Sequence, residues 1–161
     1  MKAETALKEY IARIPFVPQP GKQEQAFFHK ADVVGYLGGG GSGKSALACG
    51  LAAMTQRESL ILRRESTQHT GLINEFTRMF KTREGYNGTT KIWKLPAWDG
   101  IERSVQFGST PHPGDAMRYQ GIPHDYICFD EICHFLKEDF EFLTGWLRTT
   151  HPTQRCRILM T

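Results

Sequence analysis

The stretch GYLGGGGSGKSAL, residues 35–47, places five glycines in the six positions 38–43 and follows the last of them directly with a lysine and a serine. Without a Cβ, glycine reaches backbone dihedrals closed to other residues and lets another group approach the main chain closely. The apolar run DVVGYLG reads as a buried strand and GKSALACGLAAMTQ as a helix, so the loop joins the carboxyl end of one to the amino end of the other. A flexible linker has no reason to carry Gly-Lys-Ser at such a junction. The spacing Gly38, four residues, Gly43, Lys44, Ser45 matches G-x-x-x-x-G-K-[ST], the Walker A phosphate loop. On this reading Gly38, Gly39, Gly40, Gly41, Ser42 and Gly43 turn N–H groups toward phosphate oxygens at a helix start. Lys44 then reaches the β- and γ-phosphates of ATP, and the Ser45 hydroxyl ligates Mg²⁺.

The rest of the chain supplies the frame. An amphipathic helix from about Glu4 to Arg13 precedes PFVPQPGK, whose three prolines and glycine read as a linker. After the loop and its helix come SLILRR, a second apolar strand, and STQHTGLINEFTRMFK, an amphipathic helix capped by Ser66 or Thr67. This βαβα succession predicts a parallel sheet. KIWKLPAWDGIERSVQFGS reads as two strands about a turn at Asp99 and Gly100, a hairpin or meander inserted into the α/β layer. DYICFDE is a third buried strand, EDFEFLTGWLRTT a helix and RCRILMT a fourth strand. With 161 residues the chain has the size of one domain. The expected division is 1–20 as N-terminal helix and linker and 21–161 as the α/β domain.

YICFDE resolves what the phosphate loop leaves open. An apolar strand ending in two acids brings Asp130 out at the carboxyl edge of the sheet, where open α/β folds bind ligands. Asp130 there serves the Mg²⁺ shell, and Glu131 is positioned to polarise an attacking water as general base. No N-K-x-D guanine-reading signature occurs, which points away from a GTPase.

Twenty Lys+Arg against seventeen Asp+Glu leaves a charge of +3, which neither demands nor excludes a polyanionic partner. Cys49, Cys128, Cys133 and Cys156 form no CxxC pair and read as reduced thiols of a cytosol-like compartment. No apolar run reaches membrane-spanning length, so no membrane partner is expected. Trp93 and Trp98 read as core, His112, His124 and His134 as surface or capping groups, and EDFEF as a solvated helical face turning Phe140 and Phe142 inward.

The succession PGKQEQAF, GGGGSGKS, LILRRES, KIWKLPAWDGIERSVQFGS, AMRYQGIPHDYICFDE, FLTGWLRTT and RILMT resembles the N-terminal ATPase domain of the large terminase subunit of tailed bacteriophages, from about Pro18 onward. The tryptophan-bearing hairpin and the R-Y-Q-G turn are its more discriminating parts. The resemblance implies a P-loop NTPase of the additional-strand, catalytic-glutamate class, α/β, with a mostly parallel sheet flanked by helices and an inserted β-hairpin. It implies an ATPase motor that drives double-stranded DNA into a procapsid in the host cytoplasm, working as a homo-oligomeric ring with portal and small terminase subunits. It also places Gln23, with Gln25 as competitor and a plain surface glutamine as the other reading, at the adenine edge, and Arg118 as an arginine reaching a neighbour's γ-phosphate. Arg63 and Arg64, ending the second strand, are the alternatives for that role, and water-facing basic residues are the plain reading. The family continues beyond its fourth strand into a coupling motif, of which Thr161 would be the first residue, and then a nuclease domain. The chain therefore reads as a truncated domain without the nuclease, with turnover weakened in isolation. Two other functions fit the same motifs: a helicase-like or recombination ATPase, and a docking module that holds nucleotide without turnover.

Overall fold

A computed structural model describes residues 2–161, with side chains described at Thr5 and from Glu9 onward. The elements in chain order are α1 (Lys2–Arg13), α2 (Lys22–Phe28), β1 (Val33–Gly35), α3 (Lys44–Met54), β2 (Glu58–Arg63), α4 (His69–Phe80), β3 (Tyr86–Asn87), β4 (Ile92–Leu95), β5 (Arg103–Ser109), β6 (Tyr126–Phe129), α5 (Lys137–Thr144) and β7 (Arg157–Met160). Seven strands form one sheet in the order β1-β7-β6-β2-β5-β4-β3. The pairs from β1 through β5 are parallel, β4 pairs antiparallel with β5, and β3 pairs antiparallel with β4. The chain is thus α/β with a mostly parallel sheet flanked by helices.

Strand alternation decides which side each residue faces. Ile61, Tyr126, Cys128 and Leu159 join one core with α3, α4 and the α2 residues Ala26 and Phe27. Leu60, Leu62, Ile127, Phe129 and Ile158 join the other, with Leu143 of α5 and Ala116 and Tyr119 of the 3₁₀ turn at 115–119. Fully burying one such apolar side chain stabilises the fold by about 1.5–3 kcal/mol. Trp93 is fully buried against Phe76 and Tyr86, and its indole N–H donates to the Glu84 carbonyl at 2.9 Å. Trp98 is half-buried and donates to the Ala53 carbonyl at 3.0 Å.

Several expectations are corrected. The first strand is not buried: β1 is a three-residue edge strand paired only with β7, and its outermost Val33 is 49% exposed. The expected insertion forms as an antiparallel β3-β4-β5 meander, but β5 also lies parallel to β2 inside the main sheet, so only β4 runs against the other strands. Its turn is where expected: the Arg103 guanidinium grips both Asp99 oxygens at 2.7 and 2.8 Å, holding that carboxyl below its usual range. The helix after β2 gains no Ser66 or Thr67 cap; residues 66–68 form a 3₁₀ turn and α4 starts at His69 with no side-chain cap bond. The helix of EDFEFLTGWLRTT ends at Thr144, and beyond it Leu147 bridges to His124. Nor is that acidic face wholly solvated, since Asp139 is buried against Arg64.

The proline-rich segment is a strap rather than a free linker. Phe16 enters the core against Phe27, over Gly50 of α3, where a Cβ would stand 2.2 Å from the Phe16 ring. The helix that follows, α2, was not expected. Arg157 donates to the carbonyls of Phe27 at 3.0 Å and Ala26 at 3.2 Å, satisfying the end of α2 from β7.

His124, expected at the surface, is buried, and its Nε2 lies 3.1 Å from the Gln106 side-chain oxygen. Burial lowers its pKa to about 4, and burial also raises neighbouring Asp125 to about 6, although both Asp125 oxygens accept from the Arg57 and Glu58 N–H groups. The consequences oppose each other. A histidine with a depressed folded pKa loses stability as pH falls from 6.5 toward 4, because only the unfolded chain takes up the proton; a raised aspartate gains stability as pH falls from 6 toward 3.8. His124→Gln should therefore gain about 2–3 kcal/mol relative to wild type between pH 7 and pH 4.5, read by urea denaturation. Equal changes in both proteins would contradict a buried neutral imidazole.

Candidate functional site

Because β1, β7, β6, β2 and β5 run parallel, their carboxyl ends share one edge. The glycine loop leaves β1 there, Arg63 and Arg64 end β2, Asp130 and Glu131 follow β6, and Thr161 follows β7. Alternation then sorts them. Arg63, Asp130 and Thr161 continue the Ile61, Cys128 and Leu159 side, toward α3, whereas Arg64 continues the Leu62 side, toward α5.

The loop is held from several directions. Gln23 of α2 is buried; its amide donates to the Gly43 carbonyl at 3.0 Å while its oxygen accepts from the Gln19 N–H at 2.6 Å. Tyr36 donates its hydroxyl to the Ser42 carbonyl at 3.0 Å. Gly43 has φ 78°, which favours glycine, and a Cβ there would stand 2.6 Å from the Gln23 amide nitrogen and displace the amide that clamps the loop. Gly39 and Gly40 differ: a Cβ at either meets nothing within 4 Å, and neither has a positive φ. Neither internal packing nor backbone conformation accounts for those two glycines.

Lys44, the first residue of α3, folds over the loop and donates from Nζ to the Gly38 carbonyl at 2.7 Å and the Gly39 carbonyl at 2.9 Å. One residue on, the Ser45 hydroxyl lies 3.4 Å from Asp130 Oδ2, joining residues 85 apart in sequence. Asp130 is 1% exposed, and its other oxygen accepts from the Thr161 hydroxyl at 2.5 Å. That hydroxyl in turn accepts from the Glu131 N–H at 3.2 Å. Arg63 donates to Asp130 Oδ2 through Nε at 2.8 Å and Nη2 at 2.6 Å. Thr161 and Arg63 as partners of Asp130 are what sequence reasoning left undetermined.

Glu131 is left-handed at φ 65°, ψ 59°, a conformation that costs a non-glycine residue about 1–2 kcal/mol and concentrates at functional sites. Its carboxylate lies 3.2 Å from His134 Nδ1. The remaining expected site residues lie apart. Arg118, in the 3₁₀ turn 115–119, is 64% exposed and pairs with Asp115 at 2.5 Å. Gln25 is exposed on α2, and Gln23 is no surface glutamine. Arg64 is occupied by Asp139 at 3.3 Å and the Pro111 carbonyl at 2.7 Å.

The donor chemistry fits a hard divalent cation. A hydroxyl and a carboxylate supply oxygen ligands, and Mg²⁺ typically takes one or two protein oxygens and completes its shell with phosphate and water. The glycine cradle fits phosphate, since exposed backbone at a helix start offers N–H groups to an anion. Among the described residues no cluster of three or more His, Cys, Asp or Glu could hold a metal by itself, and all four cysteines are free.

No protein-family model matches the chain, and no curated protein does. Among solved structures it is similar to a chain described as "The Phi-28 gp11 DNA packaging Motor", at 13% identity and a TM-score of 0.45 over 82% of this chain. It spans 47% of that chain's length. At this distance the likeness is remote, and what the site can do rests on its own geometry. Among the described residues no helix is long and apolar enough to cross a membrane.

Proposed function

We propose that this chain binds ATP at the glycine loop and hydrolyses it as the motor domain of a P-loop ATPase that moves double-stranded DNA, of the large terminase type. One observation carries the nucleotide reading: Ser45, directly after Gly43-Lys44, meets the buried Asp130 at the strand edge at 3.4 Å. The two residues that a Walker A loop and a strand-borne acid devote to a metal are 85 apart in sequence, yet they adjoin beside the glycine cradle.

In this reading the loop N–H groups and Lys44 hold the triphosphate, Lys44 exchanging the Gly38 and Gly39 carbonyls for β- and γ-phosphate oxygens. Ser45 and Asp130 hold Mg²⁺, which supplies neutralisation of the charge building on those oxygens. Glu131 orients a water and takes its proton. Thr161, bonded to both the Asp130 carboxylate and the Glu131 N–H, keeps the two acids in register. The packaging reading, with double-stranded DNA, a portal, a small subunit and a subunit ring as partners, rests on the motif succession from PGKQEQAF to RILMT. A second reading, a module that holds nucleotide without turnover, is favoured by the Glu131 carboxylate lying against His134.

Arg118 tests the ring. Its exposed guanidinium, in an i,i+3 ion pair with Asp115, is free to be offered to a neighbouring subunit, since such exposed pairs are worth about 1 kcal/mol or less. With full-length protein assembled on double-stranded DNA, Arg118→Ala and Glu131→Gln proteins should each lack turnover, and mixing them should restore part of it. Some interfaces then join an intact arginine to an intact Glu131. Normal turnover by Arg118→Ala alone would make that arginine a plain surface charge and remove this support for a ring.

A further inference from the structure

Adjacent arginines end β2 and take opposite fates. Arg64 is fixed between Asp139 and the Pro111 carbonyl on the α5 side, while Arg63 turns toward α3 and lies on the pair of oxygens that the nucleotide reading assigns to a metal. Its Nε and Nη2 both donate to Asp130 Oδ2, at 2.8 and 2.6 Å, and Nη2 also lies 3.5 Å from the Ser45 hydroxyl. Asp130 Oδ1 is taken by Thr161. A single guanidinium therefore spans the Ser45–Asp130 pair.

We infer that Arg63 is an internal counter-ion for Asp130 that a divalent cation must displace before the site can load, which rests on the nucleotide reading above. An ionised carboxylate at 1% exposure is costly unless paired, so some cation must accompany it in the folded chain. Arg63 provides that charge and holds the Asp130 carboxylate beside Ser45. A metal bound to the same oxygen requires a ligand distance of about 2.0–2.1 Å, which leaves no room for two guanidinium N–H groups on that oxygen. Arg63 also has a way out. Its side chain is 17% exposed, and Nη1 is tethered to the Gln68 carbonyl at 3.4 Å, at the turn between β2 and α4 rather than inside either core. Displacement would thus not require opening the packed sheet. Arg64, held by Asp139 of α5 and by the Pro111 carbonyl, lies on the other side of the sheet and does not reach that pair of oxygens. The device would keep the acid paired and oriented in the metal-free protein while setting a threshold for loading.

An ordinary structural ion pair makes a different forecast, because removing its cation should not improve metal binding. The test is Mn²⁺ affinity by electron paramagnetic resonance, with ADP as the nucleotide, for wild type, Arg63→Gln and Arg63→Lys. Arg63→Gln should bind Mn²⁺ between about 5- and 150-fold more tightly than wild type, the range of a typical coupling between two ligands for one site, and Arg63→Lys should stay near wild type. Unchanged or weaker binding by Arg63→Gln overturns the inference. Absence of Mn²⁺ binding in all three proteins overturns the nucleotide reading along with it. If Arg63→Gln does not fold, wild type decides: the Arg63 Nε–H resonance, hydrogen-bonded to Asp130 in the metal-free protein, should shift and lose exchange protection on saturation with Mg²⁺ and ADP. A resonance that stays in place and protected at saturation contradicts displacement.

Discussion

Glu131→Gln should retain binding of ATP with Mg²⁺ and lose turnover by about 10²- to 10⁴-fold, the usual contribution of a positioned general base. Gln keeps the volume of Glu and its left-handed backbone site at φ 65°, and the N–H that bonds to Thr161 is unaffected, so the glycine loop and Asp130 are undisturbed. Only basicity is lost. In the proposed mechanism the carboxylate leaves His134, against which it now lies, and acts in the nucleotide-bound state. Binding by calorimetry and single-turnover hydrolysis in the assembled protein separate the two effects. Near-normal turnover would move the base elsewhere, and turnover absent already in wild type would favour the module that holds nucleotide without hydrolysis.

How the site residues divide between legible and hidden follows from strand geometry. Gly38–Ser45 and Asp130-Glu131 could be placed at element junctions because continuous apolar runs flank them, and the fold sets both at one sheet edge. Arg63 and Arg64 could not be told apart, since either side of β2 is equally apolar: Leu60, Ile61 and Leu62 are all fully buried. Which parity faces α3 is a tertiary fact, and only then does Arg63 fall on Asp130 and Arg64 on Asp139. Burial of Asp139 was hidden for the same reason, because its partner is 75 residues away. The helix α2 escaped notice because seven residues after a proline-glycine turn carry little periodic signal, and because its anchors are distant: Gly43 for Gln23 and Arg157 for its last carbonyls. Its position in turn changes what Gln23 does in this structure, where it clamps the loop from behind with both ends of its amide engaged.

The sheet was legible in its parallel core and misread at its margins. A βαβ succession implies parallel pairing, and β2, β6 and β7 obey it. β1 reads as buried from DVVGYLG, yet its pleat meets only β7, so composition alone overstated its burial. KIWKLPAWDGIERSVQFGS has the alternation and turn of a hairpin, and β4 and β5 do pair antiparallel. What alternation cannot reveal is the other neighbour of β5, which is β2 in parallel register from Glu58↔Ser104 to Arg63↔Ser109.

The central claim is that the glycine loop is a phosphate site, and Lys44 is its most exposed point of failure. Lys44 now donates to two loop carbonyls, Gly38 at 2.7 Å and Gly39 at 2.9 Å, so it supports the loop as well as awaiting an anion. Removal of a charged donor to phosphate costs about 1.5–3 kcal/mol, or roughly 10- to 150-fold in affinity. The measurement is isothermal titration of ATP with Mg²⁺ into wild type and Lys44→Ala, with urea denaturation of both as a control for folding. Saturable one-site binding by wild type, weakened at least tenfold in a folded Lys44→Ala protein, is the result this account predicts; equal affinity in the two proteins, or no binding by wild type, would contradict it.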